Sequence, residues 1–209
     1  NKLYYRLDPE TDLSDERVRS LLNDSQGNVW IGTDSKGLLK YRPEERTFRH
    51  YPAKPGTEGA LQSNNILCIH EDREGIIWLC TDRGVQAFHP DSMYFRSWMY
   101  NPRDPGSISS NQVWIAYEDS KGTLWFGTDN GLNRYDRKSD RFRSYTQDPA
   151  NPESIPANAV YSIYEDSKGR YWIGTMGGGL SRFDPGTEKF FQYDESDGLP
   201  NNVVYITLE

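Results

Sequence analysis

Three short β-strands and two tight turns are encoded in Glu118-Asp-Ser-Lys-Gly-Thr-Leu-Trp-Phe-Gly-Thr-Asp-Asn-Gly-Leu132. The segments Asp119–Gly122 and Asp129–Gly131 have the Asp, Asn, Ser and Gly residues that favour turns, and a strand is predicted between them. Versions of this stretch recur at residues 23–38, 71–85 and 165–180. Its tryptophan recurs at intervals of 47 or 48 residues, as Trp30, Trp78, Trp125 and Trp172. Four copies within 209 residues predict a repeat architecture.

Each repeat is predicted to form four short antiparallel strands, A to D, separated by turns rich in Gly, Pro, Asp and Asn. Four-stranded units of this length are typical of β-propeller blades. We therefore expect an all-β chain in which residues 1–209 form one β-propeller fragment. The blades are expected at about 17–51, 66–98, 113–145 and 160–193, with a strand D of a preceding blade at 3–7 and a strand A of a following blade at 203–208.

Burial is predicted to fall from the first strand of each blade to the last. The run Ile66-Leu-Cys-Ile69 is apolar at successive positions, which is typical of a strand buried on both faces. The run Arg141-Phe-Arg143 alternates charge with an aromatic residue, which is typical of a strand near an exposed edge.

Composition excludes several classes of protein. A formal net charge of −7 and a pI near 5.1 disfavour nucleic-acid binding, which needs a basic surface. The sequence has no apolar run long enough to span a membrane, and it begins without Met or a signal peptide, so we expect a piece of a larger protein. Cys68 and Cys80 lack metal-ligand spacing. They are expected not to lie opposite each other and to be buried thiols, and no metal or cofactor is predicted.

The motifs resemble a known family. Trp-Ile-Gly-Thr at 30–33 and 172–175, and Trp-Phe-Gly-Thr at 125–128, each preceded by Asp-Ser-x-Gly, resemble two-component regulator propeller repeats. Trp-Leu-Cys-Thr at 78–81 departs from the pattern, because Cys80 replaces the glycine. The resemblance implies the periplasmic sensor region of a Bacteroides-type hybrid two-component system. Such proteins also have a membrane helix, a histidine kinase, a receiver and a DNA-binding domain, none of which this segment resembles.

Residues present in every repeat are interpreted as structural, because a functional site needs its groups only once. The aspartates that open the A–B turns are expected to bond turn amides, and the tryptophans are expected to pack between blades. Glu or Asn precedes each of these aspartates, and the resulting Glu–Asp and Asn–Asp pairs, which resemble paired catalytic carboxylates, are interpreted as structural. The structural set is Asp24, Asp72, Asp119, Asp166, Trp30, Trp78, Trp125 and Trp172.

Ligand-binding candidates are sought among positions that vary between blades near the mouth of the propeller. The second residue of strand A is predicted to be Arg19, Leu67, Trp114, Tyr161 and, in the following blade, Val204. An Asn row precedes these strands, at Asn64, Asn111, Asn158 and Asn201. The candidate ligand-binding set is Arg19, Trp114, Tyr161, Asn111, Asn158, Asn130 and Met176. Alternatively, Trp114 and Tyr161 belong to the core and the Asn row caps the connections.

The sequence favours a non-catalytic sensor segment that responds to a carbohydrate, because aromatic rings stack on sugar faces and amides meet hydroxyls. One alternative is a scaffold or protein-interaction propeller, and another is a propeller enzyme such as a lyase or glycosidase. No catalytic motif is recognised, so no enzyme activity is expected of this segment. The expected partners are an oligosaccharide, and either a second copy of the chain or the remaining blades of the parent protein. No nucleic-acid partner is expected, and membrane association would come only through other segments of the parent.

Overall fold

A computed structural model describes residues 12–207, and its strands lie in four separate antiparallel sheets of four strands each. The first contains β1 (Val18–Asn23), β2 (Val29–Thr33), β3 (Leu38–Arg42) and β4 (Thr47–Tyr51). The second contains β5 (Ile66–Glu71), β6 (Ile77–Thr81), β7 (Gly84–His89) and β8 (Tyr94–Trp98). The third contains β9 (Val113–Glu118), β10 (Leu124–Thr128), β11 (Gly131–Asp136) and β12 (Arg141–Tyr145). The fourth contains β13 (Val160–Glu165), β14 (Tyr171–Thr175), β15 (Leu180–Asp184) and β16 (Lys189–Tyr193).

Strands that follow one another in the chain are neighbours in each sheet, which confirms the predicted all-β class of four-stranded antiparallel blades. The strand expected at 3–7 lies outside the described residues. Within 203–207, the expected strand A is represented by a single β-bridge between Val203 and Met176. A 3-10 turn at Glu195–Asp197, capped by Asp194, precedes this segment.

The chain divides into two compact units, Asn1–Thr81 with Gln86–Arg96, and Asp82–Val85 with Ser97–Glu209. The core of the first includes Trp30, Leu61, Ile66, Phe88 and Phe95. The core of the second includes Trp125, Ile155, Tyr171, Phe183 and Phe190. Both cores draw residues from two consecutive blades and from the connection between them.

The prediction that burial is greatest in the first strand of each blade is wrong. All five residues of the second strands β6 and β10 are buried, whereas β9 is only partly buried. In β1, the side chain of Leu21 is 66% exposed. The physical reason is position in the sheet, because the second strand has a hydrogen-bonded neighbour on each side and the first strand is at an edge.

The prediction that the cysteines lie apart is also wrong. Glu71 pairs with Ile77 across the β5–β6 turn, and this register makes Cys68 and Cys80 direct partners on neighbouring antiparallel strands. Residues 72–76 form the turn, one residue more than the four-residue turn Asp72–Gly75 on which the sequence-based expectation depended, and this brings the two cysteines opposite each other.

Three long connections, at residues 52–65, 99–112 and 146–159, link the fourth strand of one blade to the first strand of the next. Each is also joined to the fourth strand of the blade that follows it. A carbonyl oxygen of the connection accepts a hydrogen bond from the backbone N–H of a buried phenylalanine in that strand. The N···O distances are 3.0 Å for Phe95 to Gly59, 2.8 Å for Phe142 to Gly106 and 2.9 Å for Phe190 to Glu153. The connections are therefore ordered parts of the blades that follow them.

Candidate ligand-recognition site

The second residue of each first strand is a β-bulge. In all four blades, the pairing with the second strand skips this residue, so that it has no partner in the register; the skipped residues are Arg19, Leu67, Trp114 and Tyr161. A bulge turns a side chain away from the regular alternation of the strand and is frequent beside functional sites. The four positions whose residue type varies between blades are therefore also the four bulge positions of the first strands.

In three blades, the bulge side chain contacts the residue fifteen positions later, which begins the B–C loop. Arg19 forms an ion pair with Asp34. The indole N–H of Trp114 donates a hydrogen bond to Oδ1 of Asp129 at 2.7 Å. The hydroxyl of Tyr161 lies 3.6 Å from the sulfur of Met176, which is 50% exposed. The spacing of fifteen residues between the two contacting side chains is thus the same in these three blades. The bulge side chain is cationic in one of them and aromatic in two.

An aromatic row runs through the second unit, and it consists of Trp114, Tyr161 and Tyr205. The ring centroids of Trp114 and Tyr161 are 5.0 Å apart and those of Tyr161 and Tyr205 are 5.3 Å apart, with interplanar angles of 46° and 53°. Burial raises the pKa of Tyr161, and the nearby charge of Asp129 raises it further. Trp114 and Tyr161 are only partly buried, and Tyr205 is 61% exposed, so the row is open to solvent.

Tyr205 was missed by sequence reasoning, because the alignment of the last connection with the other connections was wrong by one residue. A backbone N–H of the preceding B–C loop donates to the Asn carbonyl before each strand A, and in the fourth blade this carbonyl is that of Asn202. The register therefore places Asn202 and Tyr205, rather than Asn201 and Val204, at the equivalent positions. The cause is the last connection, which folds around the 3-10 turn at Glu195–Asp197 and differs in length from the others.

The Asn row closes the connections. In each case, the side-chain Oδ1 accepts a hydrogen bond from the backbone N–H at the start of the connection. The N···O distances are 2.8 Å for Ala53 to Asn64, 2.8 Å for Tyr100 to Asn111, 2.7 Å for Gln147 to Asn158 and 3.0 Å for Glu195 to Asn202. The same hydrogen bond is made by all four asparagines, which favours the alternative that Asn111 and Asn158 cap the connections. Asn130, which is exposed, donates from its amide to the carbonyl of Ser109 at 3.3 Å.

The repeated aspartates organise the A–B turns. Each accepts hydrogen bonds from turn amides and from the indole N–H six residues later. The indole N···O distances are 2.8 Å for Trp30–Asp24, 2.6 Å for Trp78–Asp72, 2.9 Å for Trp125–Asp119 and 2.9 Å for Trp172–Asp166. The indole bond was not anticipated, although the constant Asp–Trp spacing of six residues signals it.

These bonds also affect the ionisation of the aspartates. Burial raises the pKa of Asp119, but donors outweigh this effect, and the pKa lies below its ordinary value. The donors include the indole N–H of Trp125, the amide N–H of Thr123 and the hydroxyl of Tyr171. A carboxyl group that is held ionised by fixed donors is a structural acceptor, and it is poorly suited to transfer a proton at neutral pH.

The glutamates beside these aspartates connect consecutive blades. Glu71 accepts hydrogen bonds from the backbone N–H and the hydroxyl of Ser25, both at 2.7 Å. Glu165 does the same with Ser120, at 2.7 and 2.8 Å. The Glu–Asp pairs in these blades are therefore engaged with serine and indole donors, which is consistent with a structural role.

The structure describes residues 12–207 of the chain. Within that part of the chain, no group of three or more His, Cys, Asp or Glu side chains is arranged to hold a metal ion. The same residues contain no helix with the length and apolarity needed to cross a membrane.

Comparison with known proteins decides the family. A model described as "Two component regulator propeller" matches at residues 12–35, 60–83, 107–130 and 154–177. Each match covers the first two strands of one sheet and the Asp turn between them. The chain contains four two-component regulator propeller repeats. The resemblance inferred from the Trp-Ile-Gly-Thr motifs is thereby confirmed. No curated protein matches the sequence.

Several solved structures are similar to this propeller chain. The extracellular domain of BT3049 from B. thetaiotaomicron, assigned to a hybrid two component system, is 26% identical with a TM-score of 0.64; the match covers 90% of this chain and 31% of that one. The corresponding domain of BT4673 from the same organism is 22% identical with a TM-score of 0.50, with 90% and 33% covered. PorZ, a surface component of the type-IX secretion system of Porphyromonas gingivalis, is 18% identical with a TM-score of 0.69, with 91% and 29% covered.

The last two similarities show a shared fold alone. The chain spans about a third of the length of each of these three solved chains.

Proposed function

We propose that this propeller segment is the non-catalytic, periplasmic part of a two-component sensor and that it recognises a carbohydrate at the aromatic row. The observation that carries the proposal is the row itself, in which Trp114, Tyr161 and Tyr205 lie side by side at successive blades and remain open to solvent. The location and sensor role are supported by the repeat family and by the similarity to the extracellular domain of BT3049.

The chemistry of the row suits a sugar. Aromatic side chains present apolar faces on which the C–H faces of a pyranose ring can stack, and partly exposed rings need little desolvation to do so. Asp129, which holds the indole N–H of Trp114, lies at the edge of the row and has a second carboxylate oxygen that can accept a sugar hydroxyl. Asn130 follows it in the same exposed loop and adds an amide donor.

Loss of either Trp114 or Tyr161 from the aromatic row is expected to weaken binding. Isothermal titration of the chain with a panel of neutral and acidic oligosaccharides is expected to identify a ligand. Trp114→Ala and Tyr161→Ala are each expected to weaken its binding about five- to tenfold, because stacking on an aromatic ring contributes about 1 to 1.4 kcal/mol. Circular dichroism of each variant verifies that the blades remain folded.

A matched control is Tyr193→Ala. Tyr193 is a partly exposed tyrosine on β16 whose ring packs on Trp172, so its loss should leave the affinity unchanged. Equal weakening by all three substitutions would contradict the site, and absence of heat with every oligosaccharide would contradict carbohydrate recognition by these blades. Turnover of any oligosaccharide in the panel would support the enzyme alternative instead.

A second proposal, self-association, rests on the face of the fourth blade. Trp30 and Trp125 are almost fully buried because rings of the following blade cover them, with centroids 5.4 Å away for Phe88 and 5.5 Å for Phe183. Trp172 occupies the same position in its repeat but is only partly buried. It lines an apolar cleft of ≈ 380 Å³ together with Leu180, Leu199, Val204 and Ile206. We propose that a second copy of the isolated chain covers this cleft.

Self-association is expected to depend on Ile206, which lines the cleft and is 71% exposed. Ile206→Asp should weaken dimerisation at least about tenfold, because a carboxylate must lose its hydration to enter an apolar contact. Light scattering at micromolar concentrations measures the mass. Met99→Asp, at an apolar residue that is 52% exposed outside the cleft, is the control. A monomeric mass for the unmodified chain would contradict the proposal and leave the cleft to other blades of the parent.

A further inference from the structure

The second blade differs from the others at one pair of facing positions. Cys68 on β5 and Cys80 on β6 are register partners. The equivalent partners are Ser20 with Gly32, Ile115 with Gly127 and Ser162 with Gly174. Three blades thus have one side chain opposite a glycine, and the second blade has a cysteine at both positions.

The glycines of the other blades show what this facing pair implies. A Cβ atom built on Gly127 would lie 2.8 Å from Cγ2 of Ile115, and one built on Gly32 or Gly174 would meet the hydroxyl of the serine opposite even more closely. The two side chains at this position therefore point to the same face and towards the same point. These separations are too short for ordinary non-bonded contacts. The next blade is equally close, since Val160 O would lie 2.7 Å from a Cβ on Gly127, so glycine avoids both contacts.

Two cysteine side chains that come this close together can form a disulfide bond. Partner residues on neighbouring antiparallel strands have Cα atoms about 4.5 to 5.5 Å apart, which is within the range that a disulfide spans. Cys80 is buried, whereas Cys68 is partly exposed. Burial raises the pKa of the Cys80 thiol well above its ordinary value, and the hydrogen bond and charge of Cys68 raise it further, so the two sulfur groups interact directly.

We propose that Cys68 and Cys80 form a disulfide that joins the first two strands of the second blade when the chain meets an oxidising disulfide. The partly exposed Cys68 thiolate attacks a disulfide of an oxidoreductase or of glutathione, and one thiolate leaves as a mixed disulfide forms. The Cys80 thiol then loses its proton to the departing thiolate or to solvent as its sulfur attacks the Cys68 sulfur, and the second thiolate is released. Two protein thiols are oxidised, one external disulfide is reduced to two thiols, and the two protons go to the released thiolates or to solvent.

Intact-mass spectrometry tests the bond directly. The purified folded chain is incubated with oxidised glutathione, quenched with acid and alkylated in denaturant. We expect the mass to fall by two hydrogen atoms relative to the reduced chain, no alkylation, and a proteolytic peptide pair that joins Cys68 to Cys80. The Tm of the oxidised chain is expected to exceed that of the reduced chain by about 5 °C, because the bond closes a short loop in the unfolded chain.

Two variants complete the test. Cys80→Gly restores the residue found in the other three blades and should fold, yet it should retain Cys68 as a thiol or as a glutathione adduct. The same reaction in urea should close the bond more slowly, because the folded sheet holds the two sulfurs together. Two alkylated thiols after oxidation, a stable glutathione adduct on the unmodified chain, a bond between two copies, or faster closure in urea would each overturn the proposal.

Discussion

Asp119→Asn is expected to lower the free energy of unfolding by about 3 kcal/mol, although it only replaces one carboxylate oxygen by an NH2 group. Oδ1 of Asp119 accepts from the amide of Thr123 at 2.8 Å, and Oδ2 accepts from the indole of Trp125 at 2.9 Å and from the hydroxyl of Tyr171 at 2.8 Å. Asparagine can keep the carbonyl oxygen in the turn, but its amide then faces the indole N–H, donor against donor. Trp125 is 2% exposed, so water cannot substitute as the acceptor.

Asp136→Asn is the matched control, because Asp136 is also a turn aspartate of the third blade. It accepts from the amide of Lys138 at 3.0 Å and the hydroxyl of Ser139 at 2.6 Å, but it is exposed and has no indole partner. Its loss is expected to change the unfolding free energy by less than about 1 kcal/mol. Urea denaturation, followed by circular dichroism and fluorescence, measures both variants. Equal losses would show that the indole bond contributes nothing.

Trp125→Ala is expected to have a larger effect, lowering the unfolding free energy by about 4 kcal/mol and the Tm by about 10 °C. The ring packs between the third and fourth blades, with centroid distances of 5.5 Å to Phe183 and 5.7 Å to Tyr171. Removing it leaves a cavity between the two sheets and deprives the buried Asp119 carboxylate of a donor. Scanning calorimetry and urea denaturation measure the loss.

Trp172→Ala makes the same substitution at the equivalent position of the next repeat. It tests whether the stability that the tryptophan contributes depends on its burial or only on its position in the repeat. Trp172 keeps its bond to Asp166 but is only partly buried, so Trp172→Ala should cost about half as much as Trp125→Ala. If the two variants lost equal stability, packing between blades would not be the source of the tryptophan's contribution. A smaller loss at Trp125 would contradict the assignment of its ring to the core.

Local chemistry explains why the blades were predictable from sequence. A turn such as Asp119–Gly122 requires an acceptor side chain at its start and a positive φ at its end, where Gly122 has φ 84°. These requirements act within a few residues and recur in every repeat, so their period reveals the strands and the fold class. The interpretation that a residue found in every blade is structural follows from the same periodicity.

The candidate site depended on relations that act across strands and between blades. The bulge at Trp114 and the contact between the rings of Tyr161 and Tyr205 are set by sheet register and by the length of a connection. Tyr205 was consequently misplaced by one residue, because the last connection does not repeat the others.

The sequence by itself therefore determined the four antiparallel blades, their turns and the family. The tertiary structure alone decided which side chains meet: Cys68 with Cys80, Trp114 with Asp129, and the aromatic row. The physical reason is range, since turn chemistry is encoded in neighbouring residues, whereas strand register and blade packing are set by the whole sheet. A one-residue change in register moves a side chain to the other face, and no local pattern records it.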